Sequence, residues 1–337
     1  GAAGKKGARV FYARRPEMET AEEKLAWLGS ARASALAFEE VRPDAKQNWL
    51  NITSNDFDDF LSIALKASKS SASAKALFSL YSQGVKTNRD EWVWGFSREH
   101  VEERVGYLAQ AFEDTLKGLP SAIAADRLLE HAGTDIKWTR KLLKQLHSRR
   151  PLEIDRSRLT RALYRPFTRQ WLYFAPELNE DTYQLNGLFA SGRPSPAIVF
   201  SDTSPRAPFS VLGCDGPFEH HLAASSDSFQ CVGLYRYDEA GNRIDNITDW
   251  SLAQFKKHYQ PGSGKKAQPI TKEAIFHYVY AVLHDPVYRE KYAQNLKREF
   301  PRIPLYGDSE ATFWQWAAWG ERFMALHIGY ESVEPWP

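Results

Sequence analysis

The clearest periodic pattern in the chain lies at 98–118, where apolar residues recur at helical spacing. Val101, Val105, Leu108, Phe112 and Leu116 follow one another at steps of four, three, four and four residues. Steps of three and four place side chains on one face of an α-helix. The pattern therefore predicts an amphipathic helix that buries one face.

Weaker patterns predict further helices, several of which have a candidate N-cap residue. Thr20 is followed three residues later by Glu23, the spacing of a capping box. Thr248, Thr271 and Ser309 each precede an apolar run and are candidate N-caps. Including 98–118, helices are predicted from residue 20 onward and at 55–65, 98–118, 120–131, 136–148, 249–259, 271–284, 286–298 and 309–329.

Between residues 160 and 245 the pattern changes to short β-branched and aromatic runs separated by Gly, Pro, Ser and Asp. Such runs are typical of strands joined by turns. Strands are predicted at 171–174, 197–200, 209–212 and 229–237, and near the start of the chain at 8–15 and 37–41. We therefore expect an α+β fold with a β-rich central region flanked by helical segments.

Composition excludes several classes of protein. The 337 residues are 43% hydrophobic and 26% charged, which favours a folded chain of one to three domains. No apolar run approaches the roughly 20 residues of a membrane span, so no membrane partner is expected. The two cysteines, Cys214 and Cys231, form no CxxC pair, which indicates reduced thiols and a cytoplasmic protein.

Catalytic signatures are weak, so we predict neither a catalytic residue nor a metal site in this chain. The Gly-Ser-Gly-Lys-Lys run at 262–266 departs from the phosphate-loop pattern and is interpreted as a flexible loop. Glu219-His220-His221 has the residue types of a metal site but not the spacing, which favours partly exposed loop histidines. An autonomous hydrolase that uses scattered carboxylates with His220 or His221 stays open as an alternative.

Positive charge is concentrated in one part of a chain whose net charge is only +2. Residues 137–169, hereafter the basic segment, contain eleven Lys or Arg against two carboxylates, Glu153 and Asp155. Aromatic residues such as Trp138, Tyr164 and Phe167 are interleaved with them. This favours contact with DNA phosphates. The alternative is a solvated helix face with arginines paired to carboxylates elsewhere.

Two strings in the sequence carry a family resemblance. Residues 84–92 (GVKTNRDEW) and 163–174 (LYRPFTRQWLYF) resemble motifs from the C-terminal target-recognition region of Type ISP restriction–modification enzymes. Further strings at 230–235, 245–249, 275–284, 288–292 and 301–304 follow in the matching order. The similarity extends from about residue 8 to 330.

The resemblance implies a DNA specificity domain inside a larger polypeptide that also holds a nuclease, a helicase-like translocase and an adenine methyltransferase. S-adenosylmethionine, ATP and magnesium would then bind outside this chain, whose partners would be double-stranded DNA and the upstream methyltransferase module. Residues 1–35 would be the tail of that module. The rest would divide into a mainly helical part at 36–155, a β-rich part with DNA-reading loops at 156–245 and a helical part at 246–337. A coupling module between methyltransferase and translocase, without base reading, is the alternative.

The candidate DNA contacts follow from charge and resemblance together. Arg165 and Arg169 belong to a motif shared by enzymes of different specificity, which favours phosphate contacts or structural ion pairs over base reading. Base readers are expected in the polar stretch 191–210, where Arg193 and Arg206 could address guanine; an ordinary surface loop is the alternative. The predicted backbone contacts are Lys86, Arg89, Lys137, Arg140, Lys144, Arg149, Arg150, Arg158, Arg161, Arg165 and Arg169.

Overall fold

The computed structural model describes residues 9–16, 19–43, 48–50, 53, 55–69, 75–189, 195–260 and 268–335. Contacts divide the chain into two compact units, Gly1–Asp56 and Phe57–Pro337. Residues 191–194 of the predicted base-reading stretch 191–210 and the predicted loop at 262–266 lie outside the described residues. None of the described helices is long and apolar enough to cross a membrane.

The first unit contains the strand β1 (Val10–Tyr12), the helix α1 (Ala21–Ser30) and the strand β2 (Glu39–Val41). The two strands pair antiparallel, with Val10 opposite Val41. Thr20 and Glu23 form the predicted capping box at the start of α1. The two strands and the capped helix expected here are therefore confirmed, while the assignment of 1–35 to a methyltransferase tail stays a prediction.

The second unit contains the remaining elements, which alternate helices with short strands. Its strands are β3 (Leu61–Ser62), β4 (Ser82–Gln83), β5 (Trp94–Gly95), β6 (Leu159–Arg165), β7 (Thr168–Tyr173), β8 (Ala197–Ser201), β9 (Val211–Cys214), β10 (Phe229–Gly233), β11 (Tyr235–Tyr237), β12 (Arg243–Asp245) and β13 (Arg302–Ile303). Its helices are α2 (Asp90–Val93), α3 (Arg98–Gly118), α4 (Leu128–His131), α5 (Arg140–His147), α6 (Asp249–Tyr259), α7 (Lys272–His284), α8 (Pro286–Lys291), α9 (Ala293–Leu296) and α10 (Glu310–Ile328).

One hydrophobic cluster forms where α3 packs against the small sheet β5-β7-β6. Val101, Val105, Leu108 and Phe112 are fully buried there, as the periodic pattern predicts. Strands β6 and β7 form an antiparallel hairpin whose tip is Pro166–Phe167. The hairpin carries the second half of the basic segment, so its strand geometry decides where those arginines point.

A second cluster lies between the helix pair α7 and α10 and the four-stranded sheet β4-β10-β8-β9. Strands β8, β9 and β10 are buried along their whole length. The two helices approach closely because Gly320 has no side chain; a Cβ there would overlap the carbonyl of His277. The mixture of helices and small sheets confirms the expected α+β class.

Several predicted helices are wrong or too long. The helix expected at 55–65 is replaced by a 3₁₀ turn at Phe57–Asp59 and by β3, because Leu61 and Ser62 pair with β13. The helix expected at 120–131 is reduced to α4 after a short 3₁₀ turn. The basic helix expected at 136–148 begins only at Arg140, so Lys137 lies before its first turn.

Candidate nucleic-acid interface

The end of helix α5 presents unpaired positive charge. Lys144, Arg149 and Arg150, hereafter the α5 surface, are all exposed. Lys144 and Arg150 border a cleft of about 680 Å³ whose wall also includes His147. In the part of the chain that is described, neither of these two side chains forms an ion pair. Both are therefore available to an external anion.

Arg149 is exposed but already held by the protein. Its backbone is in the left-handed region, with φ of 51°. Its guanidinium donates a hydrogen bond to the carbonyl of Pro120. Since guanidinium has five N–H donors, Arg149 retains donors for a phosphate while its position is fixed.

The positive charges at the start of α5 and just before it are partly compensated by acidic residues. Arg140 pairs with Glu180 at 2.9 Å, although its side chain is 87% exposed. Lys137 lies 3.9 Å from Glu91. Lys141 donates to the carbonyl of Asn179 at 2.9 Å, and burial lowers the pKa of its ammonium group. The positive field along α5 therefore increases toward its C-terminal end.

Arg161, Arg165 and Arg169, hereafter the hairpin arginines, each have a carboxylate partner. Arg161 pairs with Glu331 at 3.1 Å, and Arg165 pairs with Glu219 at 2.7 Å.

Arg169 is the most enclosed of the three, with a side chain 17% exposed. It pairs with Asp215 at 2.8 Å, donates to the carbonyl of Ile328 at 2.9 Å and lies 3.6 Å from Glu331. These contacts are those of a structural ion-pair network.

Arg158 and Lys86 are intermediate between the unpaired residues of the α5 surface and the paired hairpin arginines. Arg158 lies 3.7 Å from Asp155 in an exposed ion pair, which solvent screens strongly. Lys86 is half-buried, and its backbone pairs with that of Asp181. Its ammonium group lowers the pKa of His220, although burial of that imidazole is the larger cause. Lys86 therefore adds positive charge near His220.

Arg89 was predicted to contact the DNA backbone, but it lies in the protein interior. Its side chain is buried, with 1% of the residue exposed, and it donates to the hydroxyl of Thr139. Burial lowers the pKa of its guanidinium to about 10. Its Nε and Nη1 atoms have no hydrogen-bond partner in the described part of the chain. An interior guanidinium cannot reach a DNA phosphate in this conformation, so Arg89 is removed from the candidate contacts.

The candidate base readers are Arg193 and Arg206. Arg193 lies outside the described residues. Arg206 is exposed, and its backbone N–H donates to both carboxylate oxygens of Asp227 at 3.0 Å. Asp227 therefore fixes the backbone of this loop, and the residue that it holds, Arg206, is exposed. Base reading by either residue stays a prediction.

One of the scattered carboxylates, Asp202, accepts several side-chain hydrogen bonds, a role that the sequence analysis did not predict. Asp202 Oδ2 accepts hydrogen bonds from Gln83 Nε2 at 2.9 Å, Gln230 Nε2 at 2.7 Å and Ser228 Oγ at 3.1 Å. The register of β4, β10 and β8 brings these residues together. Because each amide nitrogen must face the carboxylate, the orientation of both amide groups is fixed.

The Glu219-His220-His221 run serves packing and hydrogen bonding. Glu219 pairs with Arg165, and His221 Nδ1 lies 3.2 Å from the carbonyl of Asp227. The ring of His220 stacks on Tyr183, with centroids 5.9 Å apart and planes at 19°. Tyr183 is 41% exposed and has φ of 44°. Such a conformation costs a bulky residue about 1–3 kcal/mol.

Comparisons with known proteins agree with the resemblance found in the sequence. A family model described as the Type ISP C-terminal specificity domain matches residues 76–337. No curated protein matches the chain.

Among solved structures, the cryo-electron microscopy structure of the DrdV–DNA complex is similar, with 38% identity and a TM-score of 0.84. The match covers 98% of this chain and 31% of that one.

Two further structures share the fold. A nuclease-deletion mutant of the Type ISP enzyme LlaGI, in complex with a DNA substrate mimic, is 24% identical with a TM-score of 0.73, over 89% of this chain and 22% of that one. The ATP-dependent Type ISP enzyme LlaBIII, bound to DNA, is 25% identical with a TM-score of 0.72, over 89% and 19%. The chain spans less than a third of the length of each of these proteins.

Proposed function

Because the chain belongs to the Type ISP C-terminal specificity domain family, we propose that it binds duplex DNA and recognises the target site of a larger restriction–modification polypeptide. The observation that carries the proposal is the family match over residues 76–337. The similarity to a protein solved in complex with DNA supports it. The unpaired charge of the α5 surface supplies the chemistry that a DNA backbone requires.

In this proposal the rest of the polypeptide supplies the reactions. An adenine methyltransferase module upstream would use S-adenosylmethionine, and a translocase and a nuclease would use ATP and magnesium. The chain would hold the duplex and present the target adenine to the methyltransferase. Because methylation requires the base to leave the stack, a domain that grips the flanking duplex lowers the cost of that distortion.

The proposed backbone contacts fall into two groups. The α5 surface supplies contacts that break no ion pair, because neither Lys144 nor Arg150 forms one among the described residues, although Glu177 lines the same cleft. Lys86, Lys137, Arg140, Arg158, Arg161, Arg165 and Arg169 form the second group, in which a phosphate must compete with an acidic residue or with local burial. Competition of this kind reduces the net gain from each contact.

Sequence reading is proposed for two side chains, the exposed Arg206 and the half-buried Gln83. Arg206 retains its predicted role, and Gln83 joins it as a candidate. With its Nε2 turned toward Asp202, Gln83 keeps one N–H and its carbonyl oxygen free, the pair of groups that recognises adenine in the major groove. An amide held in one orientation discriminates between bases better than one that rotates, since a rotating amide can exchange its donor and acceptor.

The experiment has two arms. Equilibrium binding to duplex DNA is measured over a range of salt concentrations with the chain and with a variant in which Arg149, Arg150, Arg158 and Arg161 are replaced by Glu. We expect weaker binding to every duplex sequence and a smaller salt dependence. Unaltered affinity at low salt contradicts the proposal and favours a coupling module.

The second arm uses the whole polypeptide and maps methylated sites after exchange of residues 191–210, and separately after Gln83→Ala. A changed or relaxed recognition site is expected in each case. A recognition site that stays the same after both changes excludes these positions as base readers. As a control, Lys144→Gln should weaken binding without altering which sites are methylated.

A further inference from the structure

A cavity of about 400 Å³ opens beside the tip of the β6–β7 hairpin, and we call it the hairpin-tip cavity. Its apolar wall includes Phe167, Leu212, Leu222 and Phe229. Its polar wall includes Arg289, His284, His327 and Ser210. The volume lies within the range of small-ligand pockets, about 300–1,000 Å³, and a few converging polar groups on an apolar wall are typical of such sites.

Arg289 is the unusual group in this wall. Its Nε donates to the carbonyl of Leu283 at 2.7 Å, and its Nη2 lies 3.4 Å from His284 Nδ1. Burial lowers the pKa of its guanidinium, which nevertheless stays charged at neutral pH. Within the described part of the chain, no carboxylate forms an ion pair with it.

The acidic residue one turn earlier does not compensate this charge. The carboxylate of Asp285 accepts from the backbone N–H of Val287 at 3.0 Å and from the hydroxyl of Tyr306 at 2.9 Å. A guanidinium withdrawn from water is normally paired, because an uncompensated charge in an apolar wall is costly. The cavity is therefore complementary to an anion.

The two histidines limit the charge of that anion. Burial lowers the pKa of His284 to about 3, with smaller contributions from Arg289 and His327. Burial likewise lowers the pKa of His327, whose Nδ1 is hydrogen-bonded to the hydroxyl of Tyr280. Both imidazoles are neutral at pH 7, so the cavity carries one positive charge. One positive charge matches a phosphodiester, which has a single negative charge, better than a phosphate dianion.

Phe167 stands at the mouth of the cavity on the tip of the hairpin. It is 48% exposed and has φ of 54°, an unfavourable conformation for an aromatic residue. Its ring contacts His327 and Tyr330 edge-to-face, with centroids 5.5 Å apart in each case. The strained turn thus keeps an apolar surface beside the guanidinium, where the sugar of a nucleotide would lie.

We propose that the hairpin-tip cavity binds a phosphate group through Arg289, and that this group is a phosphodiester of the bound DNA strand. The assignment to DNA rests on the proposed function; the assignment to a phosphate rests on the cavity alone. Arg289 thereby adds a contact that the basic segment does not contain.

The test is a coupling experiment between Arg289 and single phosphates. Duplexes that each carry one neutral methylphosphonate are bound by the unaltered chain and by Arg289→Gln. We expect one or two positions at which a neutral phosphate weakens DNA binding by the unaltered chain about tenfold. The same substitution should not weaken DNA binding by Arg289→Gln, since that variant already lacks the contact. The matched control Lys144→Gln should keep the effect at those positions.

Identical interference profiles in the unaltered chain and in Arg289→Gln overturn the assignment to DNA. A purely structural role for Arg289 gives that outcome too, because it weakens all duplexes equally. If Arg289→Gln melts at a lower temperature, Arg289→Lys replaces it. Because lysine keeps the positive charge, the methylphosphonates at the same positions should again weaken DNA binding in this variant. If they do not, the proposal is overturned.

A second arm separates the two sources of phosphate. Melting temperatures are compared in inorganic phosphate and in chloride at equal ionic strength. A rise in phosphate that Arg289→Gln abolishes, with no methylphosphonate coupling, shows a site for free phosphate and overturns the assignment to DNA. Absence of both effects overturns the phosphate site itself. If no salt-dependent duplex binding occurs at all, the proposed function fails. The melting temperatures then still show whether the cavity binds phosphate.

Discussion

The two halves of the basic segment have similar charge in the sequence but opposite environments in the structure. On the α5 surface, Lys144 and Arg150 are exposed and have no ion-pair partner among the described residues. On the hairpin, Arg169 is largely enclosed and contacts Asp215 and Glu331. Lys144 and Arg150 are available to an external ligand, whereas the hairpin arginines are already paired within the protein.

This difference separates DNA contact from fold stability. A phosphate that approaches an exposed lysine releases counterions and gains free energy. A phosphate that approaches Arg169 must first displace a carboxylate, and the displaced carboxylate then lacks its partner. Arg161 and Arg169 instead fix the end of α10 to the hairpin, through the carbonyl of Ile328 and the carboxylate of Glu331. We therefore expect substitutions in the two halves to affect different measurements.

The largest expected effect is on stability, from Arg169→Met. Removal of this guanidinium leaves Asp215 without its partner in a partly enclosed position, which should lower the free energy of unfolding by about 3 kcal/mol. Urea denaturation measures the loss. Arg158→Met is the matched control, because Arg158 forms an exposed pair with Asp155. Solvent screens that pair, so its loss should cost much less than the loss of the Arg169 contacts. A loss no larger than that of the control would remove the distinction between the two halves.

The next effect is on DNA binding, from the double variant Lys144→Gln and Arg150→Gln. Loss of two phosphate contacts should weaken duplex binding about tenfold at moderate salt and reduce the slope of log affinity against log salt by about 2. The free energy of unfolding should change by less than about 0.5 kcal/mol, since neither side chain is buried. Unchanged affinity together with lower stability would reverse the roles assigned to the two halves.

The elements with strong periodicity could be predicted from the sequence. The apolar stripe from Val101 to Phe112 specifies α3 by itself, and Thr248 and Thr271 cap α6 and α7 as expected. The segment 55–65 could not be predicted, because its residues suit a helix. Only their pairing with β13, near the other end of the chain, makes Leu61–Ser62 a strand. Tertiary pairing overrides local preference there.

The charge of the candidate site could be predicted, but the partners of that charge could not. The sequence shows Arg161 and Arg169 in a basic segment, while the carboxylates that pair with them lie at Glu331 and Asp215. No local pattern connects residues so distant along the chain. The same holds for Asp202, whose contacts with Gln83 and Gln230 depend on the register of three strands. Burial of Arg89 also follows from packing and leaves no signal in its neighbours.

The smallest expected effect tests whether every hairpin pair stabilises the fold. Glu219 is buried, and burial raises the pKa of its carboxyl above the usual value even though Arg165 acts in the opposite direction. A group whose pKa is raised by folding binds its proton more tightly in the folded state, so stability falls as pH rises from about 4.5 through the raised pKa. Glu219→Gln mimics the protonated form and lacks this dependence. The unaltered chain should therefore lose stability relative to Glu219→Gln as pH rises.

The control for this measurement is Asp155→Asn. The side chain and backbone N–H of Ser157 hydrogen-bond to Asp155 and lower the pKa of its carboxyl, so its contribution changes only below about pH 4. Urea denaturation from about pH 5 to about pH 8 measures the free energy of unfolding of each variant relative to the unaltered chain. That difference should stay constant for Asp155→Asn and change with pH for Glu219→Gln. If the unaltered chain instead gains stability over Glu219→Gln with rising pH, attraction to Arg165 outweighs burial. The Arg165 pair would then stabilise the fold as the Arg169 network does, and all three hairpin arginines would form one class.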